Sequence, residues 1–120
     1  MKGRLLLLAA VIAVSGTVLV AQTSAMATPK LNGTVGPGFT ITLTKAGKKV
    51  TKLKAGKYSF VIADKASIHN FQIEGRGLDK AITSVSFKGT KTVTLTLKKG
   101  TYKFYCAPHE STMHGSFKVT

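Results

Sequence analysis

Cysteine and carboxylate side chains are what this chain has least of. One Cys and four acidic residues stand against 18 Lys and Arg. A single thiol excludes an internal disulfide, so the fold rests on its core alone. The four acids are Asp64, Glu74, Asp79 and Glu110, and no two are placed for general acid–base work. No glycine-rich loop follows a strand and opens a helix, which argues against a nucleotide-phosphate cradle. Cys106 and His109 sit too close together in one tight loop to resemble a nucleophile–base pair. These absences leave no enzyme class with a foothold, and the chain is read as a non-enzyme. Helical periodicity is missing after the N-terminus, and long apolar runs occur only within it.

That N-terminal segment has the layout of an export leader. Lys2 and Arg4 precede an apolar run from Leu5 to Val14, and a weaker stretch continues to Ala21. Ala25-Met26-Ala27 then forms an A-x-A cleavage signal before Thr28-Pro29. The rival is an uncleaved anchor. Leu5 to Ala21 is 17 residues, at the short limit for a membrane span, and Ser15, Gly16 and Thr17 dilute it. Residues 1–27 are therefore assigned to a cleaved signal peptide and 28–120 to the mature protein. Its expected location is the periplasm, the cell envelope or the extracellular medium. No Cys lies near the cleavage site, which argues against a lipoprotein.

The mature part, Thr28 to Thr120, has 93 residues, enough for one domain with one core. Without Lys2 and Arg4 it carries 16 basic residues against 4 acidic ones, a net charge of +12. Such a surface attracts an acidic redox partner, anionic lipid or a cell-wall polymer; the plain alternative is a solvated, soluble face. Nucleic acid is a poor partner for an exported chain, and the lysines form no helix-borne stripe. A monomer is expected.

Period-2 alternation dominates the mature part. It predicts strands over Phe39–Thr44, Tyr58–Ala63, Ile68–Glu74, Ile82–Phe87, Thr92–Leu97, Tyr102–Cys106 and Ser116–Val119, with a short first strand near Leu31–Val35. Turn residues punctuate them, among them Gly36-Pro37-Gly38, Ala55-Gly56-Lys57 and Lys99-Gly100. Seven or eight short strands at this spacing predict an all-β, Greek-key sandwich or barrel built of antiparallel strands. Lys54-Ala55-Gly56-Lys57-Tyr58 and Lys98-Lys99-Gly100-Thr101-Tyr102 resemble each other and read as starts of hairpins. Tyr58, Phe60, Phe71, Phe104, Phe117 and Val119 are expected in the core.

Against this background one segment carries chemistry. Cys106-Ala107-Pro108-His109-Glu110-Ser111-Thr112-Met113-His114-Gly115 places a thiolate, an imidazole and a thioether within eight residues, at C-x2-H-x3-M spacing. A free thiol outside the cytosol is exposed to oxidation, and a metal bond explains its presence; otherwise it is a buried, inert thiol. Alternation puts His69, Phe71 and Ile73 on one inward face, and Tyr102, Phe104 and Cys106 on another, with Lys103 toward solvent. His69 would complete a His2Cys site with a weak axial Met, the donor set of electron-transfer copper centres. Zinc also takes Cys and His, but its sites use carboxylates rather than thioethers. Pro108 stiffens the loop, and Gly115 is read as the point where the chain turns back into its last strand. His114 is read as an exposed loop residue, with a metal contact or a pH-sensitive role as the alternative.

Phe104-Tyr105-Cys106-Ala107-Pro108-His109, Met113-His114-Gly115 and the upstream His69-Asn70-Phe71 together resemble the cupredoxins, the small type 1 blue copper proteins of the plastocyanin, amicyanin and pseudoazurin kind. The resemblance implies a Greek-key sandwich with one copper, cycling between Cu(I) and Cu(II), at one end. It implies His69, Cys106, His109 and Met113 as ligands, and Asn70 as the residue bridging the two ligand loops around the thiolate. The His-to-Met gap of three residues is intermediate between the amicyanin-like and plastocyanin-like loops; a longer count would put His114 in the axial position. The implied function is single-electron transfer between partners, with His109 as the electron port inside an apolar docking rim. The alternative is a copper-trafficking module that hands on the metal itself.

Overall fold

The computed structural model describes residues 12–18 and 27–120. Most of the predicted leader, including Ala25 and Met26 of the cleavage signal, lies outside the described residues, and residues 12–18 form neither helix nor strand. Among the described residues no helix is long and apolar enough to cross a membrane. Ten strands follow: β1 Lys30–Val35, β2 Ile41–Lys45, β3 Lys48–Lys49, β4 Lys52–Leu53, β5 Gly56–Asp64, β6 Gln72–Gly75, β7 Leu78–Ala81, β8 Gly89–Leu97, β9 Gly100–Tyr105 and β10 His114–Val119. They form two five-stranded sheets, ordered β3-β2-β1-β5-β8 and β4-β10-β9-β6-β7. The result is the expected all-β Greek-key sandwich, left open rather than closed into a barrel.

Several details depart from the sequence expectation. The strand expected over Ile68–Glu74 begins only at Gln72, and Ile68–Phe71 belongs to the connection before it. Both sheets are mixed, because β1 runs parallel to β5 and β10 parallel to β4; alternation reports which face a residue takes and is blind to strand direction. The count exceeds eight because β3 and β4 are two-residue bridges too short to show a period. Ile82–Phe87 is not a strand. The pairing segment is the preceding Leu78–Ala81, an edge strand with no buried position and hence no alternation to read. Ile82 and Thr83 are instead buried as a brace: the Ile82 N–H donates to the Phe71 carbonyl at 2.8 Å, and the Phe71 N–H donates to Thr83 Oγ1 at 2.9 Å.

The paired phrases at Tyr58 and Tyr102 are structurally equivalent, but they open no hairpin. Each is a corner where the chain crosses from one sheet to the other, β4 to β5 and β8 to β9. Each tyrosine hydroxyl reaches back four residues to a backbone carbonyl, Tyr58 to Lys54 at 2.7 Å and Tyr102 to Lys98 at 2.8 Å. The buried ring packs in the core while its polar tip holds the corner.

Strand β5 shows how pattern becomes packing: Tyr58, Phe60, Ile62 and Asp64 alternate inward along its whole length. All six residues expected in the core are buried. Phe71 stacks on Phe104 with centroids 5.6 Å apart, and Tyr102 on Phe117 at 5.4 Å. Each such pair contributes ~0.5–1.5 kcal/mol beyond the area it buries. Gly115 serves this stack rather than a turn. It lies inside β10 opposite Phe104, whose ring occupies the space a Cβ would need.

The strand directions give the sandwich two distinct poles. Val35, Asp64, Tyr105 and His114 end or begin strands at one pole. Lys30, Lys45, Gly56, Leu97, Gly100 and Val119 do so at the other.

Candidate metal centre

The predicted donors converge at the first pole. Cys106 follows β9, and a 3-10 turn, Ala107–His109, carries the chain across the pole before β10. Pro108 sits in the first turn of this helix, where its fixed φ suits the conformation and a missing N–H costs nothing. Backbone bonds lock the loop. The Cys106 N–H donates to the Met113 carbonyl at 3.0 Å, the His109 N–H to the Cys106 carbonyl at 3.0 Å, and the Met113 N–H to the His109 carbonyl at 2.8 Å. Three residue types with metal affinity are thereby held in one short, rigid segment.

His69 comes from the segment joining β5 to β6. Its N–H donates to the Ala66 carbonyl at 3.3 Å. Its imidazole needs room beside the β1–β2 loop, and Gly36, at φ 72°, supplies it: a Cβ there would stand 2.9 Å from the His69 ring. Asn70 ties the two ligand segments together. Its N–H donates to Cys106 Sγ at 3.4 Å, and its Oδ1 accepts the Ala107 N–H at 2.7 Å. Its Nδ2 donates to Gln72 Oε1 at 3.4 Å.

Three donor atoms then face one another. His69 Nδ1 lies 3.1 Å from His109 Nδ1 and 3.7 Å from Cys106 Sγ, and His109 Nδ1 lies 3.5 Å from that sulfur. Lone pairs crowded this closely share either protons or a cation. The three distances define a point about 2.0 Å from each atom, against ~2.0–2.1 Å for a metal–imidazole bond and ~2.3 Å for a metal–thiolate bond. A metal ion fits with almost no movement of the ligands. His69 and Cys106 are fully buried and His109 is partly exposed, so the site is closed except at one imidazole edge. Among the described residues these three form the one cluster of His, Cys, Asp and Glu able to hold a metal.

Met113 is fully buried at the end of the same loop. His114 stands apart from the cluster. It is exposed, opens β10, and its ring nitrogen meets the Glu110 carbonyl at 2.8 Å. The four carboxylates are all elsewhere engaged or buried. Glu74 accepts from Tyr105 Oη at 3.0 Å, Asp79 from Gln72 Nε2 at 2.8 Å, and Glu110 pairs with Lys103. Burial, helped by the Glu74 carboxylate, pushes the Tyr105 phenol up to about 12. Glu74 and Asp79 lie opposite each other across β6 and β7, a pairing the sequence did not suggest, but each is committed to its own partner.

One residue of the site escaped sequence reasoning. Phe39 was expected to open a strand; it lies in the loop before β2, 60 % exposed. Its ring meets both imidazoles edge-on, with centroids 5.4 Å from His69 and 4.9 Å from His109. The available signal was an aromatic directly after the Gly36-Pro37-Gly38 turn, where nothing fixes a strand face.

A sandwich with a buried Cys–His–His triangle at one pole defines a class: small β proteins with a mononuclear metal site. The family model described as copper binding proteins, plastocyanin/azurin family, matches residues 41–120. The chain belongs to that family, the cupredoxins, and its site takes one copper. Among solved structures it is similar to the copper protein rusticyanin, with 18% identity, TM-score 0.56 and 76% of each chain covered. It is similar also to auracyanin A, a "blue" copper protein from Chloroflexus aurantiacus, with 18% identity and TM-score 0.52 over 78% of this chain and 100% of that one. A chain of a heme-copper terminal oxidase dimer matches at 15% identity and TM-score 0.53, covering 76% of this chain and 63% of that one. No curated protein matches the chain by sequence.

Proposed function

We propose that this chain is an exported type 1 copper protein that carries single electrons between redox partners. The carrying observation is the triangle of His69 Nδ1, His109 Nδ1 and Cys106 Sγ, whose spacing suits a metal ion. Copper bound there supplies a one-electron couple, and the chain's residues set how easily it turns over. The locked loop and the Asn70 bridge keep the donors in place whichever charge the metal holds, which keeps reorganisation small. The Asn70 N–H aimed at Cys106 Sγ stabilises the thiolate. Burial of Met113 at the end of the ligand loop, against the exposure of His114, favours Met113 as the residue that would supply a fourth, weak thioether donor.

His109 is the partly exposed ligand, and exposed Phe39, Ala107 and Pro108 flank it. This supports His109 as the electron port within an apolar docking rim. The leader pattern of residues 1–27 supports export. A copper-trafficking module needs a site that opens for exchange, and two fully buried ligands in a hydrogen-bonded frame favour the carrier. Protein-film voltammetry on the copper-loaded protein separates the two. A carrier gives a reversible couple with fast electron exchange and holds Cu(I) against a soluble chelator. A trafficking module gives up Cu(I) rapidly and shows sluggish exchange.

A further inference from the structure

The charge of this molecule is segregated along its long axis, and the sense of that segregation was not legible in the sequence. Lys65, Lys80, Lys88 and Lys91 lie toward the copper pole, but most of the basic residues expected to attract a redox partner gather at the other. Lys45, Lys48, Lys49, Lys52 and Lys54 lie on the connections between β2 and β5 at the opposite pole, and all are exposed. Lys98 and Lys99 join them from the β8–β9 corner, and Lys118 from the end of β10, beside Lys52. None of the four carboxylates lies among them. Asp64 is buried at the copper pole, and Glu74, Asp79 and Glu110 are hydrogen-bonded or paired on the β6–β7–β9 side.

The chain also enters the fold at this lysine pole. Lys30 opens β1 there, paired beside Ser59 near the start of β5. If cleavage follows Ala27, the mature N-terminus lies two residues before β1; if the apolar segment is kept, Ala21 lies nine residues before it, within about 30 Å of extended chain. When the apolar segment is kept, the part of the sequence suited to a membrane leads to the pole suited to anionic headgroups; when it is cleaved, the lysine charge alone supplies the attraction. A cell-wall polymer would share the charge complementarity but not this connection.

We propose that the lysine pole docks on an anionic membrane surface and holds the molecule upright, with the copper pole directed away from the lipid. Nine residues of β5 span the sandwich from pole to pole, so the His109 edge would stand roughly 30 Å above the headgroups. The lysines then serve to place the carrier, while partner recognition falls to the apolar rim around His109.

The test uses the full, copper-loaded chain and vesicles of phosphatidylcholine with or without phosphatidylglycerol. An apolar leader binds both lipids alike and ignores salt, so the increment on anionic vesicles isolates the charge term. Two charge-reversal triples of equal net charge are compared: Lys48→Glu, Lys52→Glu and Lys99→Glu at the far pole, and Lys65→Glu, Lys88→Glu and Lys91→Glu toward the copper pole. At about fivefold per lysine held near an anionic surface, the far-pole triple should lose roughly a hundredfold or more in affinity for anionic vesicles. The copper-pole triple should lose less than tenfold, and the wild-type increment should fall steeply with salt. Equal losses in both triples would mean that net charge acts without orientation, and would overturn the proposal. Wild-type binding that ignores lipid charge would overturn it too, as would equally tight binding to soluble polyphosphate. The visible band and far-ultraviolet circular dichroism, read on the same samples, report site and fold separately from docking. Should the Glu triple fail to fold, the corresponding Gln triple gives the same ranking with smaller losses.

Discussion

Asn70→Ala tests the frame of the site more sharply than removal of any ligand. The substitution deletes the Oδ1 acceptor of the Ala107 N–H at 2.7 Å and the weaker contact to Gln72. It leaves the backbone N–H of residue 70 on Cys106 Sγ. A net hydrogen bond contributes ~0.5–1.5 kcal/mol, and an N–H left buried without a partner costs ~1–3 kcal/mol. Ala107 is exposed, so water can reach its N–H, and the loss falls at the lower end, about 1–2 kcal/mol. In a domain of this size that lowers Tm by roughly 4–16 °C. The loss should appear in the metal-free protein too, because the bridge runs from the Asn70 side chain to the Ala107 backbone and uses no ligand atom. Copper affinity should fall with it, by about 10–100-fold, since the donors are no longer held at bonding separation. Thermal melts of metal-free and loaded protein measure the first effect, and competition with a chelator of known affinity measures the second. A melt within about 1 °C of wild type, together with unchanged affinity, would refute the claim that Asn70 preorganises the site.

Other substitutions probe the remaining parts. Cys106→Ser should abolish the intense visible band while the sandwich stays folded by circular dichroism; a variant that stays blue removes Cys106 as the thiolate ligand. Met113→Gln should keep copper and lower the reduction potential, and a potential and spectrum identical to wild type would show that Met113 is not axial. Phe39→Ala should leave Tm within a few degrees, because the ring is largely exposed, yet allow azide to perturb the copper spectrum; Phe39→Tyr should restore protection. Gly115→Ala forces a methyl into the Phe104 ring and should cost about 1–3 kcal/mol by denaturant unfolding, with no change in the copper spectrum if the damage stays in the stack.

The parts of this fold that sequence made legible are those with a side-chain period. Strand β5 and the inward positions of β9 follow from alternation; His69 is buried as expected, but in a segment before β6 where Asn70 and Phe71 are buried beside it, so no strand period places it. Strand direction leaves no such trace, which is why the parallel pairs β1–β5 and β4–β10 came only from the structure. The edge strand Leu78–Ala81 was missed because none of its residues is buried, while Ile82 and Thr83, which are, brace Phe71 outside any strand. Within the site, the Cys106–Met113 segment declares itself because its donors are close in sequence. Phe39 did not, since its importance lies in reaching two imidazoles from a distant loop. Charge is similar: composition gives its sum, and only the topology reveals that the lysines collect at the pole away from the copper.

The central claim is that His69, Cys106 and His109 hold copper, with Cys106 bound as the thiolate. Stoichiometric addition of Cu(II) to the metal-free protein, followed by visible absorption, tests it most directly. The account predicts an intense blue thiolate-to-copper band that saturates at one equivalent and bleaches on one-electron reduction. A protein that stays colourless on binding Cu(II), or binds none, would contradict it.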